Sequence, residues 1–198
     1  MALIYDEFIA FTSSSGDQLY ANCPFHPDKT PSFTVNTETH EWYCHGCGKG
    51  GAEKEFLAEY FDVEPKIGKF AFEQWESKGT LPFPTDQQVE RYHQKLLQSP
   101  KDMAILKDFG ISQQTIDELK IGLDDFRIIF PIKSRRGYWV NLRRYLPPQR
   151  RVAETKEPKC LNSRGLGQRR YWPYEAFDKD EIVVVEGEKD CASARSQG

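Results

Sequence analysis

The sequence predicts an α+β protein in two parts, a small β-rich unit and a larger mixed α/β unit behind it. Three observations predict this. Cys23-x-x-His26 and Cys44-x-x-Cys47 form two ligand pairs separated by seventeen residues. From residue 52 onward, apolar side chains recur at helical spacing in several stretches. From Arg127 the pattern changes to β-branched runs with period-two alternation.

The paired ligands come first because they organise the front of the chain. Two residues between ligands let a tight knuckle aim both side chains at one point. Residues 32–36 and 41–44 are short β-rich runs, and Asn36-Thr37-Glu38-Thr39 supplies a turn, so a hairpin is expected to bring the knuckles together. Three thiolates and one imidazole, from Cys23, His26, Cys44 and Cys47, make a closed tetrahedral site with no position for water. A structural Zn2+ is the expected cofactor. His40 and His45 are competing imidazoles.

The segments Cys23-Pro-Phe-His-Pro-Asp-Lys-Thr-Pro-Ser-Phe-Thr-Val35 and Trp42-Tyr-Cys-His-Gly-Cys-Gly-Lys-Gly-Gly51 resemble the zinc-binding domain of bacterial and phage DNA primases. The likeness covers roughly residues 18–60 and includes ligand order. It favours His26 over His45, and it implies a zinc ribbon that helps choose where an RNA primer begins on its template. Trp42 enters as a candidate template contact.

Composition bounds the rest. The 198 residues suit a small metal domain plus a larger one. Charged residues at 29% and aromatics at 13% suit a folded chain rather than a disordered one. No apolar run approaches the ~18 residues needed to cross a membrane, and no signal peptide is read at Met1. Cys160 and Cys191 lie outside the motif, and reduced thiols beside a zinc site point to the cytoplasm. The net charge of −3 conceals an asymmetry: residues 127–172 hold 13 Lys and Arg against 2 Asp and Glu, whereas residues 1–126 hold 11 against 21. One block is basic enough to follow a phosphate backbone.

Taken in order, residues 4–11 predict a short helix with Ile4, Phe8 and Phe11 on one side, and residues 18–22 the first ribbon strand. Residues 52–61 predict a helix backing the ribbon, so the zinc ribbon domain is expected over residues 1–62. Residues 63–84 read as a linker containing a possible helix at 66–78, with Phe70, Phe72 and Trp75 as apolar candidates; hinge-like freedom is expected between 62 and 85. Thr85 begins the next helix, with Val89, Tyr92, Leu96 and Leu97 inward and His93 on the surface. Residues 101–109 and 112–120 predict a helix pair, with Ser112 as N-cap and Gly122 as stop.

Residues 127–133 and 138–145 read as two strands joined by a basic turn, with Pro131 marking an edge or a bulge. Period two puts Trp139, Asn141, Arg143 and Tyr145 on one face, and Tyr138, Val140, Leu142 and Arg144 on the other. Cations interleaved with aromatics suit single-stranded nucleic acid, because cations neutralise phosphates and rings stack on bases. Lys133 and Arg143 are candidate contacts on that ground. A solvated charged sheet with core aromatics is the plain alternative.

Residues 106–122, Ile129-Phe-Pro-Ile-Lys-Ser-Arg-Arg-Gly137, Pro158-Lys-Cys-Leu-Asn-Ser163 and Tyr171-Trp-Pro-Tyr-Glu-Ala176 resemble successive segments of the N-terminal half of the primase polymerase domain, here residues 85–180. By position, Arg144, Lys159 and Asn162 match residues near template and incoming nucleotides. Arg169 and Arg170 lie where the family also carries charge, and residues 147–157 read as a mobile basic loop. Glu181-Ile-Val-Val-Val-Glu-Gly-Glu-Lys-Asp190 resembles the first strand and turn of a TOPRIM domain, continuing as a helix through residue 197.

The full fold expectation is therefore a zinc ribbon, a mixed α/β polymerase subdomain, and the opening strand and helix of a truncated TOPRIM fold at 181–198. Glu186, at the strand's carboxyl end, and Asp190, one helical turn later, would then be the catalytic carboxylates that begin a Mg2+ or Mn2+ site, with Glu188 and Lys189 pointing away. The resemblance implies a primer-synthesising nucleotidyltransferase with single-stranded DNA template and nucleoside triphosphates as partners. It leaves room for a replicative helicase and implies no membrane partner. The family's later Asp-x-Asp is not in the sequence, so little primer synthesis is expected from this chain alone. A zinc-dependent single-stranded DNA-binding protein without catalysis is the alternative; a TOPRIM nuclease or topoisomerase fragment would need no such ribbon.

Overall fold

The computed structural model describes residues 3–151, 156–168, 170 and 172–197, and the chain divides into two compact units, Met1–Pro82 and Phe83–Gly198. The first is built on an antiparallel sheet in the order β1 (Ser13–Ser15), β2 (Gln18–Ala21), β3 (Phe33–Asn36), β4 (Trp42–Cys44) and β5 (Gly50–Gly51). The β3–β4 hairpin forms where expected, and Asn36 closes its turn by accepting the Glu38 and Thr39 amides at 2.8 Å. Register opposes Phe33 to Cys44 and Val35 to Trp42. These four alternate inward and are buried, so one face of the hairpin carries both core residues and one metal ligand, Cys44.

The ribbon's core is aromatic. Helix α1 (Glu53–Phe61) inserts Phe56, fully buried, against Tyr5, Phe25, Phe33 and Trp42, with ring centroids 4.9–6.0 Å away. The expected helix over 4–11 shortens to a single 3-10 turn, Ile4–Glu7. Ile4 and Tyr5 are drawn wholly into the core, and Thr12 already donates its amide to Tyr20 of the sheet.

Helix α2 (Pro65–Lys78) packs along α1 rather than lying in a free linker. Its buried residues are Ile67, Gly68 and Ala71, whereas Phe70, Phe72 and Trp75 stay half-exposed. Gly68 allows the approach: a Cβ there would lie 2.5 Å from the Lys54 carbonyl and 2.7 Å from Ala58 Cβ. The division between units consequently falls at residues 82 and 83, late in the stretch read as a linker.

The second unit begins with α3 (Asp86–Leu97), where Thr85 and Gln88 exchange side-chain-to-amide hydrogen bonds of 3.2 Å in a capping box. Helices α4 (Pro100–Asp108) and α5 (Gln113–Glu118) follow, with Ser112 capping α5 through the Thr115 amide. His93 is buried, not on the surface, because α3 faces the next strand: Nδ1 donates to the Ile121 carbonyl at 2.8 Å. The turn after α5 is made by Lys120 at φ 52°, while Gly122 lies in β6 (Gly122–Leu123), where a side chain would collide with Tyr92.

The second sheet runs β6, β7 (Ile128–Lys133), β8 (Trp139–Tyr145) and β9 (Cys160–Leu161), all antiparallel. Phe130, Ile128 and Tyr145 pack on Leu106, Ile116 and Ala192; Ile129 and Leu142 pack on Val89. Pro131 lies in an interior strand, but β6 pairs only as far as Ile129, so the missing proline amide interrupts no ladder there.

A bulge follows Ile132, which pairs with Asn141 while Lys133 pairs with Trp139. The extra residue, Val140, rotates Trp139 away from Asn141, Arg143 and Tyr145, and onto the Leu142 face. That corrects the strict alternation read from the sequence. Helix α6 (Glu188–Gln197) closes the unit against α5.

Candidate metal centre and nucleic-acid surface

Cys23, His26, Cys44 and Cys47 converge so that one donor atom from each lies within 4.8 Å of all the others. The sequence brings them there by local turns. In the first knuckle the Phe25 amide donates to Cys23 Sγ at 3.4 Å, and in the second the Cys47 amide donates to Cys44 Sγ at 3.4 Å. Gly46 keeps the centre open, since a Cβ there would sit 2.7 Å from His26 Nε2.

The imidazole is oriented by chemistry that admits one tautomer. His26 Nδ1 lies 2.9 Å from the Pro27 carbonyl, which can only accept, so Nδ1 carries the proton and the Nε2 lone pair faces the sulfurs. Nε2 is 3.2 Å from Cys44 Sγ. His45 instead packs edge-on against Tyr43 at 4.9 Å, and His40 sits 3.3 Å from Glu53, so neither competes.

Behind the ligands stands Asp28, to which the sequence motif alone gives no role. It accepts the Cys23 amide at 2.8 Å and the Ser32 hydroxyl at 2.7 Å, and Ser32 Oγ lies 3.3 Å from Cys44 Sγ. The signal was present as an acid followed closely by backbone and hydroxyl donors. The Ser32 hydroxyl first, and then the Cys23 amide, hold the Asp28 carboxyl below its ordinary range. At Cys44, burial works against ionisation, but its hydrogen-bonding neighbours, among them the donating Cys47 amide, bring the thiol down to about 6. Burial and the neighbouring sulfurs push Cys23 up to about 12. Sulfurs this close cannot all ionise together without a cation between them, and a divalent soft-ligand ion such as zinc meets that need.

Trp42 is not a surface contact. It is 3% exposed and stacks on Phe33 at 5.3 Å, because strand alternation turns it into the core. Its neighbour Tyr43, 46% exposed, carries the outward ring on the same strand.

On the second sheet Arg143 and Arg144 fall on opposite faces, opposite Phe130 and Ile129 respectively. Arg143 donates to Asn162 Oδ1 at 3.1 Å and lies 3.4 Å from Glu188, so Glu188 turns toward the sheet. Arg144 donates to Ser163 at 3.1 Å and lies 3.5 Å from Asp124. Lys133 is exposed, with Nζ 4.3 Å from the Trp139 ring centre, and Lys159 is exposed beside Tyr145. Arg170 is half-buried in a cleft of ≈ 250 Å³ that Glu186 also lines. Arg169 lies outside the described residues.

Not every cation in the basic block is turned to solvent. Arg127 is buried and donates to the Pro158 carbonyl at 2.9 Å, and Arg150 pairs with buried Asp102 from a short 3-10 turn, Pro148–Arg150. That turn occupies part of the loop read at 147–157, whose residues 152–155 lie outside the described set. The stacking surface is narrower than expected too. Tyr145 is buried and Trp139 packed, with its Nε1 donating to Asp86 at 2.7 Å.

The expected opening strand at 181–186 is not formed. Ile182, Val183, Val184 and Val185 are 37–81% exposed. A strand needs a neighbour to take its backbone hydrogen bonds, and among the described residues none flanks this run. Helix α6 starts at Glu188, putting Asp190 in its first turn beside Lys189. Glu186 is exposed. Among the described residues no helix is long and apolar enough to cross a membrane.

A closed Cys3His centre on an antiparallel hairpin, backed by one helix, defines a structural zinc ribbon. Residues 2–68 match the CHC2 zinc finger family. The chain is 30% identical over 255 residues to the DNA primase of Pseudomonas aeruginosa, covering 93% of this chain and 38% of that protein. It is 26% identical over 239 residues to the DNA primase of Aquifex aeolicus, covering 92% and 47%. A crystal structure of the Aquifex aeolicus primase, zinc-binding and RNA polymerase domains, overlaps 81% of this chain and 50% of that one at 22% identity and a TM-score of 0.34. Residues 2–68 thus match a CHC2 zinc finger, and the chain is similar to bacterial DNA primases along nearly all its length. It spans about two fifths of the length of the curated relatives it matches.

Proposed function

We propose that this chain forms the template-engaging front of a DNA primase, binding single-stranded DNA and contributing to RNA primer synthesis by nucleotidyl transfer. One observation carries the reading: similarity to DNA primases continues past the zinc finger and through the second sheet, reaching 93% of the chain. Cys23, His26, Cys44 and Cys47 hold the structural zinc. Arg143, Arg144, Lys133, Lys159 and Asn162 are the contacts proposed for template and nucleoside triphosphates, with Arg169 and Arg170 beside them.

Glu186 and Asp190 are the proposed catalytic carboxylates. Two acids from one turn suit Mg2+ or Mn2+, which commonly take one or two carboxylates and complete their shell with water and substrate phosphates. Such an ion would steady the oxygens exchanged in phosphoryl transfer. Arg143, tied to Glu188 across 3.4 Å, would keep this turn against the sheet. A replicative helicase is a further proposed partner.

The test is elemental analysis of the native, reduced protein joined to a titration with labelled single-stranded DNA at several salt concentrations. One zinc per chain and affinity that falls linearly in log–log salt are expected. Absence of tightly held zinc, or absence of salt-dependent binding, would overturn the reading.

A further inference from the structure

Asn141 is a polar side chain buried in β8, away from the zinc centre and not itself among the proposed contacts. Its Oδ1 accepts the Ser163 amide at 3.0 Å, and its Nδ2 donates to Asn162 Oδ1 at 2.7 Å. Asn162 Oδ1 also accepts from Arg143 Nη1 at 3.1 Å.

The direction of this chain of bonds is forced. A backbone amide can only donate, so Asn141 must turn its oxygen to Ser163 and its amino group to Asn162. A guanidinium can only donate, so the Asn162 oxygen serves both inner neighbours. What Asn162 has left is its amino group, on an exposed residue, with Gly167 beside it. A Cβ on Gly167 would sit 3.1 Å from that nitrogen, so the glycine leaves the amide room.

We infer that Asn141 is a positioning residue that turns the Asn162 carboxamide amino-side outward, next to the Arg143 guanidinium, as a paired donor site for a phosphate oxygen. The inference rests on the nucleic-acid reading of this surface. The phosphate has two possible sources, the template backbone and a nucleoside triphosphate. Both present the anionic oxygen that an amide and a guanidinium recognise.

The test uses the full chain and two probes, a fluorescein-labelled single-stranded oligonucleotide and ATP with magnesium. Asn141→Leu keeps the branched shape and removes the bonds that fix Asn162. Asn162→Asp keeps the inner acceptor and replaces the outward donor with an acceptor. Each is expected to weaken binding of at least one probe by about five- to tenfold, and the probe affected identifies the phosphate source.

A purely structural Asn141 would leave a folded Asn141→Leu binding both probes normally, whatever Asn162→Asp does. Side-chain amide NMR of the unaltered protein gives a readout independent of variant folding: the Asn162 amino resonances should move on saturation with the affected probe. Unmoved Asn162 resonances, or unchanged affinity of a folded Asn141→Leu for both probes, would overturn the inference alone. Failure of the unaltered chain to bind either probe would remove the nucleic-acid reading together with it.

Discussion

The Ser32 hydroxyl donates to the Asp28 carboxylate at 2.7 Å while its oxygen lies 3.3 Å from Cys44 Sγ. Asp28 thereby supports two ligands, one through Ser32 and the other through the Cys23 amide. Groups that orient metal ligands typically contribute 10–100-fold to affinity. Asp28→Ala is expected to loosen zinc by about that factor, measured by competition with a chromophoric chelator. An unchanged affinity would reduce Asp28 to a turn residue.

The same carboxyl gives a pH expectation. Its folded-state pKa is depressed, chiefly by Ser32, so its stabilising contribution is present above its unfolded pKa of about 3.9 and lost as pH falls through the lower folded value. In Asp28→Asn the acid-side loss of stability should become shallower below about pH 4. Chemical denaturation across pH 2–6 (about the range where carboxylates titrate) checks the slope.

Removal of the metal should unfold the ribbon. The aromatic core depends on the hairpin whose ends are the two knuckles, and zinc supplies on the order of 10 kcal/mol to small metal domains. Cys44→Ser, or chelation of the native protein, is expected to abolish near-ultraviolet circular dichroism from Trp42 and to expose residues 18–60 to protease. A compact ribbon without zinc would contradict this.

Trp42 and Tyr43 should separate stability from binding. Trp42→Ala removes a ring packed on three phenylalanines and is expected to cost about 3–5 kcal/mol. Tyr43→Ala should leave the melting temperature nearly unchanged and weaken single-stranded DNA by about 1–3 kcal/mol if its ring stacks on a base. Calorimetry and fluorescence anisotropy read the two effects independently.

Arg143→Ala with Arg144→Ala is expected to weaken single-stranded DNA and flatten its salt dependence, by about 0.7 in log–log slope for each phosphate no longer neutralised. The register puts the two on opposite faces, so the single variants should divide the effect unequally. A slope unchanged in the double variant would remove this sheet from the binding surface.

Gly68→Ala tests the packing of α2 on α1. The added methyl would meet the Lys54 carbonyl at 2.5 Å, a backbone atom that cannot swing aside. Destabilisation of about 1–3 kcal/mol is expected from such overpacking, read by thermal unfolding of the zinc-loaded protein.

Local order in the chain was largely legible from residue pattern. The ligand pairs, the Asn36 turn, the Thr85 and Ser112 caps and the β7–β8 pairing each depend on residues near in sequence, whose spacing and donor chemistry are visible without a fold. What faces what was not legible. Trp42 and His93 carry chemistry suited to a surface, yet lie inside because neighbouring elements cover them. Trp139 left its expected face because one bulged residue resets a period of two, and Ile182–Val185 read as a strand although pairing is a property of two segments. Sequence by itself determined the spacing of the metal's donor pairs and the type of most elements, since both follow from local covalent geometry. Only tertiary structure decided that Asp28 supports the zinc ligands and that Asn141 turns Asn162, because those roles arise from hydrogen bonds set by folding rather than by motif spacing.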